Sequence, residues 1–522
     1  MKRWTPVFPL LIASFTGSVR ADWANEVGFK QLQTELGIAT PNGAGVKISQ
    51  VESSLSPGVY SAVTGDGIVN TGLPGDFTGK TFNIKSGAST QSFHAYFVAQ
   101  QMVGLGSEPS RYGMATGVTE LDGYEVNDWL ETGFLNLTSG LPLTESGRVQ
   151  NHSWIFIPTT TAEINDCKKI LRRADWSINT DKYLCCVGMN NDGSSVVPAL
   201  MATGYNVISV GLTSGSHSRG LTSSSFDGPG RTKPELVAPS DFTSFATGMV
   251  SGSGAVLREV AATTDAQQTE TLRAVMLAGA TKEEFPTWAR TTTRPLDAIY
   301  GAGELNIYHS YKILSTTQQS SSPSTPVTLQ GWDYQTVTNG ANFDYIIEIP
   351  SNLQGASLSA ALVWNRTVTH TNGPFPNFSY QTLPNLSLRL YKLPGSPGTQ
   401  LDISNSAVDN LEHIWQPALT CGTYRLRISG DSTLSIPATL AWRVTPPLAA
   451  PTIAVGPVQI DQPIAFTFTY LVPSQLYVLQ DSDDMQTWND LYSFTPTSQT
   501  DGWNAPANNL TRRFYRLKWI CP

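Results

Sequence analysis

Ser244 lies in "DFTSFATGMVSGSGAVL", residues 241–257, where Thr243-Ser244 stands at the mouth of a helix-like run built largely of small residues. A serine hydroxyl is a poor nucleophile at neutral pH. It attacks a carbonyl only when a histidine takes its proton and an acid orients that histidine. At a helix N-terminus its own N–H and the positive end of the helix dipole would face a developing oxyanion. The segment therefore suits acyl transfer if the chain also supplies a base and an acid. Read alone, Thr243-Ser244 is also a natural N-cap for the free N–H groups of a first helical turn. The small residues would then only let a helix pack closely.

The longer segment "KPELVAPSDFTSFATGMVSGSGAVL" resembles the serine segment of the subtilisin-like serine proteases. There a Lys-Pro-Asp-Val-x-Ala-Pro-Gly strand leads to Gly-Thr-Ser-Met-Ala-Thr-Pro-His-Val-Ala-Gly, and Ser244 falls on the nucleophile. Further segments match in the family's chain order. In "QSFHAYFVAQQMVG", His94 takes the place of the family's histidine and shares the following Val98 and Ala99; of six histidines it alone opens a helix-like segment. "YLCCVGMNNDG" resembles the strand and loop that carry the oxyanion asparagine, which implies that role for Asn191, with Asn190 beside it leaving the register open by one. "RVQNHSWIF" resembles the strand whose backbone pairs with an extended substrate and places Ser153, Trp154 and Ile155 along that edge. Strand addition of this kind holds a polypeptide by its main chain.

The acid departs from the family. "GVKISQVES" resembles its first strand, which ordinarily ends in aspartate, but position 52 is glutamate. Glu52 would orient a histidine through the same imidazole N–H, one methylene further out. "YGAGELNIY", residues 300–308, resembles the closing segment, so the likeness spans residues 40 to 315 or so. Phe242 replaces a glycine, Gly248 a proline and Ile155 a glycine at the cleft edge, so no cleavage preference carries over. The resemblance implies a Ser244–His94–Glu52 triad with Asn191 and the Ser244 N–H as oxyanion donors, and a polypeptide as substrate. Acyl transfer of this kind needs no cofactor, and structural calcium is left open. The rival reading is a catalytically silent subtilisin-fold scaffold whose β-domains bind a surface polymer or a partner protein.

These residues need a scaffold. From 22 to 315, apolar strand-like runs such as "GVKISQVE", "YLCCVGM" and "NVISVGL" alternate with helical patterns such as "AEINDCKKILRRADWSI". Alternation of this kind predicts an α/β domain with a parallel sheet and helices on both faces. The Ser/Thr/Pro-rich stretch 316–326 reads as a flexible linker. Short alternating strands over 327–446 predict a β-sandwich, similar to one appended to many subtilisin-like proteases. A Pro/Ala-rich hinge at 447–456 leads to a small β-module over 457–522, of a type that resembles repeats in secreted bacterial proteins.

Composition narrows the partners. Thirty-three Lys and Arg against 41 Asp and Glu give a net charge of −8, with no basic stripe for nucleic acid. Lys2 and Arg3 before an apolar stretch, with "VRA" at 19–21, predict a signal peptide over 1–21 and a secreted protein. No later stretch is long and apolar enough to span a membrane. Only about twenty residues separate Ala21 from the first strand, too few for a folding-assisting propeptide. Five cysteines are few for a disulfide framework. Adjacent Cys185 and Cys186 face opposite ways in a strand, so Cys167 would reach one of them or all three would stay buried thiols. The oligomeric state is not legible.

Overall fold

The apolar runs become strands of one sheet. A computed structural model describes residues 22–65, 76–106, 112–193, 200–430, 434–447, 451–457, 462–473, 475–506 and 514–519; the expected signal peptide, 1–21, lies outside them. Seven strands lie in the order Leu236–Ala238, Ile208–Leu212, Leu184–Gly188, Val149–His152, Lys47–Glu52, Glu120–Glu125 and Thr81–Ile84, and every neighbouring pair is parallel. Both faces of the central strands are buried, so Leu184–Gly188 and Ile208–Leu212 are near-continuous apolar runs, whereas Lys47–Glu52 and Val149–His152 bury polar side chains among them, Ser49, Gln50, Glu52, Gln150, Asn151 and His152. Leu184 and Cys186 face one core with the helix Thr243–Val260, whereas Cys185 and Val187 face a second core with the helix Thr161–Asp181. The expected α/β core followed by antiparallel β-domains is what the chain forms. Cys167, Cys185 and Cys186 are buried free thiols, and burial pushes Cys167 and Cys186 up to about 12. Cys421, in contrast, is disulfide-bonded.

Because all seven strands run the same way, their carboxyl ends share one edge, where open α/β sheets place their sites. Glu52 is the last residue of its strand, and Ser153 and Asn191 follow theirs within three residues. One expectation is corrected here: the strand through "RVQNHSWIF" stops at His152, and residues 153–156 leave the sheet.

Beyond this domain, two four-stranded antiparallel sheets form a sandwich, Gln330–Val337, Ile436–Thr445, Ala356–Trp364 and Leu411–Leu419 facing Asn342–Ile349, Gly422–Gly430, Leu386–Lys392 and Thr399–Ser404. Two three-stranded sheets follow, around a separate core of Phe466, Phe468, Tyr477, Leu479 and Phe494. Both expected hinges need correction. Residues 316–326 are not a free tether, because Gln319 N–H donates to Trp332 O at 2.9 Å and Ser322 N–H to Asp344 O at 2.7 Å. In the second, Thr452–Val455 is already a strand, paired antiparallel with Ile464–Thr469. Polar composition read as flexibility, whereas the main chain of both segments finds strand partners.

The first sandwich sheet also packs on the α/β domain. Trp332, Ala361, Val363, Leu411 and Ala441 join the same apolar cluster as Leu272 and Val275 of the helix Thr269–Gly279, a helix buried along its whole length. Asn410, just before the strand Leu411–Leu419, adds a polar link, its Nδ2 donating to Tyr205 O at 2.9 Å, and a separate hairpin strand, Phe378–Tyr380, adds another through Tyr380 OH to Asp175 Oδ2 at 2.6 Å. Each large apolar side chain buried here contributes roughly 1.5–3 kcal/mol. A fragment ending at 326 is therefore expected to aggregate or unfold, while one ending at 446 stays soluble and folded, as read by sedimentation and circular dichroism.

Among the described residues, no helix is long and apolar enough to cross a membrane.

Candidate active site

Two helices bring the histidine to the serine. The helix Thr243–Val260 passes through the centre of the domain, and the helix Phe93–Val103 lies against it. Close approach explains two glycines: a Cβ on Gly248 would sit 2.8 Å from Val98 O, and one on Gly252 2.9 Å from Met102 O. Larger residues would push the helices apart and carry His94 with them. Ser92 caps the histidine helix, its Oγ accepting from Ala95 N–H at 3.4 Å. On the serine helix the cap position is Phe242, with no side-chain cap bond, so capping is not what the Ser244 hydroxyl does.

Three side chains meet at the sheet edge. His94 Nδ1 lies 2.7 Å from Glu52 Oε2, and His94 Nε2 lies 2.9 Å from Ser244 Oγ. A carboxylate only accepts, so Nδ1 carries the proton and donates to Glu52, leaving Nε2 free to accept from the serine hydroxyl. Glu52 is 2% exposed, and its other oxygen accepts from Gln50 Nε2 at 2.8 Å. Gln50 Nε2 also donates to Ala95 O at 2.9 Å, which ties the acid's strand to the first turn of the histidine helix. Both oxygens of the buried carboxylate thus have a donor. Sequence reading passed over Gln50; the signal was a polar residue two places before the acid, hence on the same face of a buried strand.

The other five histidines are engaged elsewhere. Trp154 Nε1–H donates to His152 Nδ1 at 3.2 Å, and His152 Nε2 meets Gln150 Oε1 at 3.0 Å; burial takes this ring down to about 3. His217, down to about 4, accepts at Nδ1 from Leu212 N–H, and its Nε2 meets Ile299 O. His309 and His413 are likewise held neutral by burial. His370 packs on Trp176 and Phe378.

Of the two adjacent asparagines, Asn191 is the one beside the serine. Thr243 N–H donates to Asn191 Oδ1 at 2.7 Å, and Thr243 Oγ1–H to Met189 O at 2.6 Å. With Oδ1 so held, the exposed Asn191 amide has its two Nδ2 hydrogens to offer. Asn190 is buried instead, its N–H donating to Ser218 Oγ at 3.1 Å.

The expected substrate edge is partly turned inward. Ser153 Oγ lies 2.9 Å from Asn151 Oδ1 and 3.1 Å from Ser244 O, and the Trp154 ring is buried on His152. Ile155 is half-buried. Phe242 and Phe245 pack edge to face at 5.5 Å, Phe245 reaches Phe97 at 6.0 Å and the His94 ring at 6.4 Å, so an aromatic group flanks the histidine.

No family model and no curated protein matches the chain. Among solved structures it is similar to a lanthipeptide protease (15% identity, 56% of this chain and 93% of that one, TM-score 0.37). It is also similar to tripeptidyl peptidase 2 (9% identity, 82% of this chain and 51% of that one, TM-score 0.28). A third is the mitogen of Yersinia pseudotuberculosis (14% identity, 23% of this chain and 88% of that one, TM-score 0.16). Likeness at these values fixes neither family nor activity.

Proposed function

We propose that the chain is a secreted serine endopeptidase that hydrolyses peptide bonds through an acyl-enzyme, with Ser244 as nucleophile, His94 as base and Glu52 as the orienting acid. The observation that carries this reading is the unbroken run of contacts from Ser244 Oγ through His94 to Glu52 at 2.9 and 2.7 Å. Residues 153–155 would hold the substrate by its main chain.

Ser244 Oγ attacks the scissile carbonyl carbon as His94 Nε2 takes the hydroxyl proton. The carbonyl oxygen becomes an oxyanion that accepts from Asn191 Nδ2–H and the Ser244 N–H, one of the first-turn N–H groups without an intrahelical partner. Buried Glu52 stabilises the imidazolium, which then protonates the leaving amine. Water repeats the sequence and frees the acid product.

Incubation with an unfolded polypeptide is expected to give new termini, read by mass spectrometry. Asn191→Ala should lower kcat about 100- to 1000-fold with little change in KM, the range for loss of one oxyanion donor. Unchanged kcat in a folded variant would remove Asn191 from the mechanism, and no cleavage by the wild-type chain would count against a peptidase.

A further inference from the structure

Away from the triad, a cavity of about 340 Å³ is lined by Glu26, Thr213, Glu284, Phe285, Tyr300 and Glu304. Three of these six residues are carboxylates, and no lysine or arginine lines the space. Glu26 and Glu284 stand exposed at its rim, while Glu304 is 4% exposed. The Glu304 backbone is fixed on both sides, its N–H donating to Thr281 O at 2.8 Å and its carbonyl accepting from Thr281 N–H at 2.9 Å. Its side chain is not: among the described residues, buried Oε1 has no hydrogen-bond partner. A buried carboxyl without a donor is costly, and two more acids facing the same space add repulsion. Phe285 and Tyr300 stack at 4.0 Å and 10° to form an aromatic wall.

We propose that this cavity binds a linear alkylammonium group, the chemistry shared by lysine side chains and free diamines. A cation supplies the missing donor to Glu304 Oε1, offsets the rim charges of Glu26 and Glu284, and lies against the aromatic pair, which attracts cations. A bare metal ion fits less well, because among the described residues no three His, Cys, Asp or Glu side chains are grouped to hold one. The volume is that of a small-molecule site. The cavity also shares the sheet edge with Ser244: Thr213 follows the strand Ile208–Leu212, and Ser218 of the same loop donates its N–H to Asn190 O at 2.9 Å.

Protonation gives the proposal a distinctive signature. Burial and the facing charges of Glu284 and Glu26 raise Glu304 to about 8, and Glu26 at the rim is raised by partial desolvation and by the charges of Asp22 and Glu284. Lys282, on the turn that carries Glu284, points its ammonium at Ala280 O and Ser359 Oγ instead. At pH 7 Glu304 is therefore mostly protonated, and a bound ammonium must displace that proton.

The test is calorimetric titration of the intact chain with cadaverine, in two buffers of different ionisation enthalpy. Expected are binding that strengthens from pH 7 to pH 9, release of about one proton per amine at pH 7, and no binding of 1,5-pentanediol. Glu304→Gln, which mimics the protonated acid in shape, should weaken cadaverine at pH 9 at least about tenfold. Glu284→Gln at the exposed rim should weaken it less and serves should the buried variant not fold. A lysine-containing tripeptide amide tested alongside separates the sources: tighter binding than cadaverine marks a chain-borne lysine, weaker binding a free amine. Equal binding of diol and diamine, calcium binding in place of amine, or an affinity that neither substitution changes would overturn the proposal.

Discussion

Glu52→Gln is expected to lower turnover by about four orders of magnitude, the loss that amide replacement of the orienting acid causes in a serine protease of known mechanism. The glutamine fits the same space, but its amide can donate to His94 Nδ1 and so hold the tautomer whose Nε2 carries the proton and cannot accept from Ser244. Gln50 sharpens the effect. Its Nε2 already donates to Glu52 Oε1 at 2.8 Å, so a glutamine at 52 would keep that bond by turning its own oxygen toward Gln50. Its NH2 group then faces His94. KM should change little, because Glu52 lies behind the histidine. Glu52→Asp keeps the charge but withdraws it by one methylene, and should fall between wild type and Glu52→Gln. Near-normal turnover in Glu52→Gln would mean that another residue supplies the acid or that the serine and histidine work as a pair.

Ser244→Ala should cost about six orders of magnitude in kcat, the loss caused by removing the nucleophile from a serine–histidine–acid triad. His94→Ala should cost nearly as much, and the double variant no more than either alone, because each residue is useless without the other. Such non-additivity separates a working triad from three residues that each merely support the fold, whose effects would add. Melting temperature provides the control. Ser244 removes only a hydroxyl and His94 is 20% exposed, so neither alanine should shift the melt by more than a few degrees.

Much of this site was legible because chemistry restricts residue type. A serine at a helix mouth, a histidine opening another helix and an acid ending a strand are few in any chain, and their order matched a family pattern. The α/β core and the sandwich were legible for a different reason, since burial on two faces or one leaves its own apolar period. Other features depended on contacts between segments distant in sequence. Gln50 looked like an ordinary polar strand residue until its amide was placed between Glu52 and Ala95. Residues 316–326 and 447–456 had the composition of tethers, yet strand partners order part of each. Ser153 and Trp154 were read as a continuing strand, but the chain leaves the sheet after His152 and buries both side chains. The acidic cavity draws its lining from four separate stretches of chain, and no local pattern announces it.

Covalent labelling tests the Ser244–His94–Glu52 triad most directly. The purified full chain would be treated with a fluorophosphonate and the adduct mapped by peptide mass spectrometry, with Ser244→Ala alongside. Only a serine activated by a histidine beside oxyanion donors reacts readily with this reagent. One adduct is expected, on Ser244, formed in the folded wild-type chain and absent from the alanine variant and from heat-denatured protein. A folded, monodisperse chain that takes up no label, or takes it up at another residue, would contradict the triad.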